Sequence, residues 1–181
     1  MTIQYCVTEE DYINFNVEAS IRVNKRMLAI FRFGIPVLLL AIVLINIVFN
    51  ELSIIDFALV VMSLILIIWF PVFFKNSLRK QILKFIKLGR SNDFIGEQTM
   101  ILEDTYIKSF NKSGEGKTQY SVVESIRYFS NIYCIYVGSI KAFVVPESAF
   151  TDEAQKREFF DILFGKTGIY PPDMGYEERA L

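Results

Sequence analysis

Phe31–Phe49, FRFGIPVLLLAIVLINIVF, and Leu52–Phe74, LSIIDFALVVMSLILIIWFPVFF, are separated only by Asn50 and Glu51, and their reading decides the fold. At 1.5 Å per residue the first makes a helix about 28 Å long, close to the hydrocarbon thickness of a bilayer. The second is long enough to span with some tilt. Each run carries a single charge near its start, Arg32 and Asp56. Two buried core helices are the rival reading, but a chain of 181 residues has too little other material to cover two such rods. Both stretches therefore read as transmembrane helices.

So short a joint makes the helices antiparallel neighbours, with both flanks on one side. Arg22, Lys25, Arg26 and Arg32 lie at the leading flank and Lys75, Arg79, Lys80, Lys84 and Lys87 follow, while the joint holds only Glu51. The bias of basic residues toward the cytoplasm predicts a multi-pass cell-membrane protein with both termini cytoplasmic. Trp69, Phe70, Phe73 and Phe74 then fall at the inner interface. The first run reads as a retained span and not a signal peptide, because some thirty residues with helical pattern precede it and no small-x-small cleavage site follows. Asp56 has two readings, a functional intramembrane acid or the partner of Ser53 in a helix-start box, and the spacing favours the box. Asn46 is read as a packing residue, and Pro36 and Pro71 as kinks. No polar run lines a path across the bilayer.

The formal net charge is −1, but it is unevenly spread. Residues 75–90 hold six bases and no acid, whereas residues 91–181 hold fourteen acids and nine bases. An acidic distal domain disfavours nucleic acid as a partner. Histidine is absent, which removes the commonest general base and metal ligand. Cys6 and Cys134 lack any metal or redox spacing and read as buried thiols. No catalytic residue, cofactor site or metal site is expected.

Alternation of Ile3, Tyr5 and Val7 opens the chain with a strand, and Thr8 with Glu9, Glu10 and Asp11 starts a helix whose face is Tyr12, Phe15 and Ala19. After Phe74 the helix continues as a basic amphipathic segment, with Leu78, Ile82, Phe85 and Ile86 on one face. Residues Leu88 to Asn92 mark a boundary. Short strands follow at Phe94–Leu102, Tyr106–Asn111, Lys117–Val122, Ser125–Phe129, Ile132–Val137 and Ala142–Val145, with turns at Glu103-Asp104, Ser113 to Gly116, Ser130-Asn131 and Gly138-Ser139. Thr151 is the expected N-cap of a last helix, with Phe159, Phe160, Leu163 and Phe164 on its core face and Gly165 as its stop. The domains expected are an opening strand and helix (1–30), the hairpin (31–74), a basic juxtamembrane helix (75–90), a strand domain (93–165) and a flexible tail (166–181).

The opening strand followed by TEEDYINFN (residues 8–16), the two spans, YSVVESIRYFSNIYCIYVGSIKAFVVPESAF (residues 120–150) and a closing aromatic helix together resemble the YcxB-like family of bacterial membrane proteins. The resemblance implies a membrane α+β fold: an antiparallel transmembrane hairpin carrying a cytoplasmic pleckstrin-homology-like domain, a small antiparallel β-barrel or sandwich closed by a C-terminal helix. Whether the opening strand joins that sheet is left open, and the resemblance carries no functional residues. The function expected is a non-enzymatic adaptor that binds a protein or peptide. The alternative is an anionic-lipid sensor whose headgroup residues are Lys75, Arg79, Lys80, Lys84 and Lys87.

Overall fold

The computed structural model describes residues 1–49, 53–88, 94–138 and 141–172. The boundary read at Leu88 to Asn92 lies largely outside these residues, as do the hairpin joint and the tail from 173. The elements are β1 (Thr2–Val7), α1 (Glu9–Val23), α2 (Lys25–Ala29), a π-helical turn (Ile30–Gly34), α3 (Ile35–Phe49), α4 (Ile54–Lys87), β2 (Gly96–Leu102), β3 (Tyr106–Asn111), β4 (Gly114–Gln119), β5 (Val123–Phe129), β6 (Ile132–Val137), β7 (Lys141–Pro146) and α5 (Glu153–Thr167). They form two compact units, residues 1–15 with 85–181, and residues 16–84.

In the helical unit, the segments Lys25–Phe49 and Ile54–Lys87 are long and apolar enough to cross a membrane. Only 11% and 6% of their most apolar windows are buried, so these are not core helices. Leu38, Leu44, Phe57, Ile68 and Trp69 are all more than 60% exposed. Two contacts fix the helices as antiparallel neighbours. Near the joint, Asn46 Nδ2 donates to Asp56 Oδ1 at 2.9 Å; at the far end Phe31 stacks on Phe70 with centroids 5.8 Å apart. The Ser53 N–H and hydroxyl donate to Asp56 Oδ2 at 2.9 and 2.8 Å, and the Asp56 N–H donates back to Ser53 Oγ at 3.3 Å, which is the predicted helix-start box. Asp56 is 1% exposed, and both of its carboxylate oxygens accept hydrogen bonds.

The first membrane-length helix starts earlier than the hydropathy suggested. It is also not uniformly α-helical. Pro36 has no N–H for the Arg32 carbonyl, and the turn just before it widens so that the Ile35 N–H reaches the Ile30 carbonyl. Pro71, by contrast, sits inside α4 without interrupting it.

The strand unit contains two antiparallel sheets, β1-β2-β3-β4 and β5-β6-β7. They do not close into a barrel, which corrects that alternative of the sequence reading. The strands divide at Tyr120. Residues Tyr120–Val122, expected to prolong a strand, form a 3-10 turn, and the Tyr120 hydroxyl donates to the Glu103 carbonyl at 2.7 Å. The chain thereby leaves one sheet and enters the other. β4 begins at Gly114 because the two residues Lys112 and Ser113 suffice for the turn, with the Ser113 N–H bonded to Asn111 Oδ1 at 2.9 Å. Ser130 and Asn131 both have positive φ, as a two-residue hairpin turn requires.

β1 pairs with β2 from Thr2 opposite Ile101 to Val7 opposite Gly96, so the opening strand does join the sheet. One compact core draws on both sheets and α5, through Ile3, Met100, Ile107, Ile126, Tyr133, Val145, Phe159, Phe160 and Leu163. The β1 alternation turns Ile3 and Val7 inward and Cys6 outward. Cys6 is therefore exposed, against the expectation of two buried thiols; Cys134 is buried, and neither forms a disulfide.

Three further boundaries move. The covered face of α1 centres on Ile13 and Val17, with Tyr12, Phe15 and Ala19 only half-buried. The N-cap of α5 is Asp152, whose Oδ1 accepts the Gln155 N–H at 2.7 Å, while Thr151 donates from both its N–H and its hydroxyl to Gln155 Oε1. Gly165 stays within the helix, and Gly168, at φ 71°, ends it. The start of the expected flexible tail is thus ordered: Ile169 packs on the core and Tyr170 stacks on Phe164.

One disulfide checks this architecture in a chain with Cys6 and Cys134 replaced by Ser. Gln4→Cys with Thr99→Cys joins directly opposed outward positions of β1 and β2 and should close within one chain. Failure of the pair to close would remove β1 from the sheet.

Candidate functional site

α4 continues as one α-helix from the apolar run through all five expected headgroup residues. Successive residues advance about 100° around its axis. Lys80, Lys84 and Lys87 fall within about 60° of one another, opposite the stripe of Leu78, Ile82 and Ile86. All three are exposed, whereas Leu78 and Ile82 are half-buried and Ile86 is buried. Lys75 is exposed on another side of the helix, and Arg79 is half-buried and already engaged by a partner. The five bases are therefore a stripe of three and a separate pair. Phe85, expected on the covered face, is 49% exposed.

In the strand unit a polar cluster joins α5 to the sheets. Lys156, on α5, is 8% exposed. Its Nζ donates to Glu153 Oε1 at 2.6 Å and to Glu147 Oε1 at 3.4 Å. Tyr128, on β5, donates its hydroxyl to Glu147 Oε2 at 2.8 Å. The hydrogen bond to Glu153 raises the Lys156 pKa above the usual ammonium value, burial opposes that rise, and the bond to Glu147 adds to it. The group is a permanent cation near neutral pH, unsuited to act as a base or amine nucleophile. Its chemistry is to clamp α5. Sequence reading passed over it, yet a signal was there: Lys156 lies one turn before Phe159 and Phe160, inside the apolar stripe, where an unpaired ammonium would be costly.

The outer face of β3 and β4 carries two lysines on aromatic rings. Lys108 Nζ lies 4.8 Å from the Phe110 centroid, and Lys117 Nζ 5.5 Å from that of Tyr106. The two lysines are directly opposed, and Glu115 lies 3.1 Å from Lys108 and 3.8 Å from Lys117. The arrangement offsets the like-charge pair and leaves the ring faces covered. Among the described residues no group of three acids or cysteines could hold a metal ion.

Burial raises the Tyr5 pKa, and burial followed by the charges of Asp104 and Glu103 raises that of Tyr120. Raised folded-state values for Tyr5, Tyr120 and Lys156 share one sign: their stabilisation is complete below the unfolded values near pH 10 and is lost as pH climbs through the folded ones. Amide protection in β5, β6 and α5 should hold through neutral pH and fall above about pH 10. Replacing both Glu147 and Glu153 by Gln leaves Lys156 without its carboxylates and should cost about 1–3 kcal/mol in urea unfolding. Unchanged stability in that double variant would mean the clamp contributes nothing.

No curated protein and no solved structure matches the chain significantly. The segment YSVVESIRYFSNIYCIYVGSIKAFVVPESAF lies wholly inside a region that a family model matches, and TEEDYINFN lies outside it. From the end of β2 to the core residues of α5, residues 101–163 match the family described as YcxB-like protein.

Proposed function

We propose that this chain is a membrane-anchored, non-enzymatic binding module whose strand unit works in the cytoplasm. One observation carries the reading. β1, before the hairpin, and β2, after it, pair through six residues in register. Strands on opposite faces of a bilayer cannot pair, so the ladder supports an out-and-back crossing by the two membrane-length helices between them. The exposed apolar surface of those helices and their basic flanks support insertion with both termini cytoplasmic, in the cell membrane. Four plus three antiparallel strands closed by α5 support a pleckstrin-homology-like reading of the domain.

The partner class is a protein or peptide added as a strand. Among the described residues β4 pairs with β3 alone and is an edge of its sheet, with Gly114 and Gly116 offering little side-chain obstruction to an incoming backbone. The other edge of that sheet, β1, lies against β7 and the turn after it. A second reading, anionic-lipid sensing, is favoured at Lys75 and Arg79, which follow the apolar run directly.

Native Cys6 is an exposed thiol on β1 and reports sidedness without mutation. A membrane-impermeant maleimide should label Cys6, and a Cys placed at Lys117, only after cells are opened. Labelling of either in intact cells would reverse the topology. A photo-crosslinker at Lys117 should yield discrete protein adducts in cells; adducts confined to lipid would refute the strand-addition reading.

A further inference from the structure

We infer that the C-terminal, cytoplasmic end of α4 is a docking surface for an acidic amphipathic helix of another protein, and that Lys84 and Lys87 are not lipid-headgroup residues. The inference rests on the anchored reading above, because it needs the bilayer to end where the apolar run ends. α4 starts at Ile54, and about twenty residues at 1.5 Å each cross the hydrocarbon, which places its edge near Phe74. The headgroup layer adds only about 5–8 Å on each side. Backbone positions along a straight continuation then stand at about 2 Å for Lys75, 8 Å for Arg79, 9 Å for Lys80, 15 Å for Lys84 and 20 Å for Lys87 beyond that edge. Helix side chains lean toward the N-terminus, here toward the bilayer, so Lys75, Arg79 and Lys80 reach the headgroups. Lys84 and Lys87 stand outside the layer, where a screening length of about 8 Å weakens their attraction to it.

What these lysines present is not a plain solvated charge run. The stripe of Lys80, Lys84 and Lys87 is bordered by apolar side chains that lie past the end of the span: Leu83 is 36% exposed on one side, and on the other Leu88, just beyond the helix end, is 61% exposed. No acid occurs from Lys75 to Leu88 to neutralise it. A second copy of this chain would bring the same positive stripe and be repelled. The complementary occupant has carboxylates at i, i+4 and i+7 with apolar residues beside them, which is an acidic amphipathic helix.

The test uses the full chain in phosphatidylcholine nanodiscs and a fluorescent synthetic helix with Glu at those positions and Leu at i+3 and i+8. The helix should bind, and the triple variant Lys80→Glu, Lys84→Glu, Lys87→Glu should weaken it at least tenfold, while Lys75→Glu changes it less than twofold. Equal binding of a scrambled peptide, or no effect of the triple variant, overturns the inference. So does loss of peptide binding when phosphatidylglycerol replaces part of the neutral lipid, since lipid would then hold the stripe. The Gln4→Cys and Thr99→Cys disulfide, introduced into the triple variant, verifies that it folds. Spin labels separate the two readings. A nitroxide at Leu44→Cys that is shielded from oxygen in the bilayer defeats the anchored reading, whereas one at Lys84→Cys that sits at headgroup depth defeats only the docking inference.

Discussion

The pairing of β1 with β2 constrains everything else in this protein. The strands are neighbours in space, yet all the membrane-length helical chain lies between them. Their ladder puts Ile3 and Val7 into the core, where full burial is worth about 1.5–3 kcal/mol for each side chain. The cost of closing so long a connection grows only logarithmically with its length, so the ladder can hold. The helical connection is not random coil in any case. Antiparallel contacts at Asn46–Asp56 and Phe31–Phe70 hold its two arms together and so reduce the freedom that closure removes.

Polar groups in this chain act mainly as fasteners. Thr8 and Asp11 form the same reciprocal box at the start of α1 that Ser53 and Asp56 form at the start of α4. In an apolar setting an unbonded carboxylate is costly, and Asp56 avoids that cost by accepting from both Ser53 and Asn46. Lys156 follows the same logic in the strand unit: its ammonium is withdrawn from water only because Glu153 and Glu147 are in reach, and Glu147 also receives the Tyr128 hydroxyl. With these groups committed to structure, the surfaces we propose for recognition are the β4 edge and the lysine stripe of α4.

Those surfaces differ in how far sequence could expose them. The bases after Phe74 are plain in the sequence, and a helical period already sorts them around an axis. Their division into a stripe and a pair needed burial, because Arg79 is engaged while Lys84 is exposed. Which strand is a free edge is a property of pairing, and no local pattern in GEGKTQ reveals it.

Local physics made much of the chain legible. Two long apolar runs with a short joint determine an antiparallel hairpin, because backbone hydrogen bonds and side-chain transfer energies are properties of the segment itself. Alternation in TIQYCV is equally local: residues 2–7 are a strand, and Ile3 and Val7 face one way. Ser130-Asn131 announces its turn for the same reason. Only the tertiary structure decided that β1 joins β2, that the described strands divide into two sheets at Tyr120–Val122, and that Gly168 and not Gly165 ends the last helix. Each of these depends on a partner far away in the chain or on competition between two similar local signals, and packing, not local preference, chooses between them.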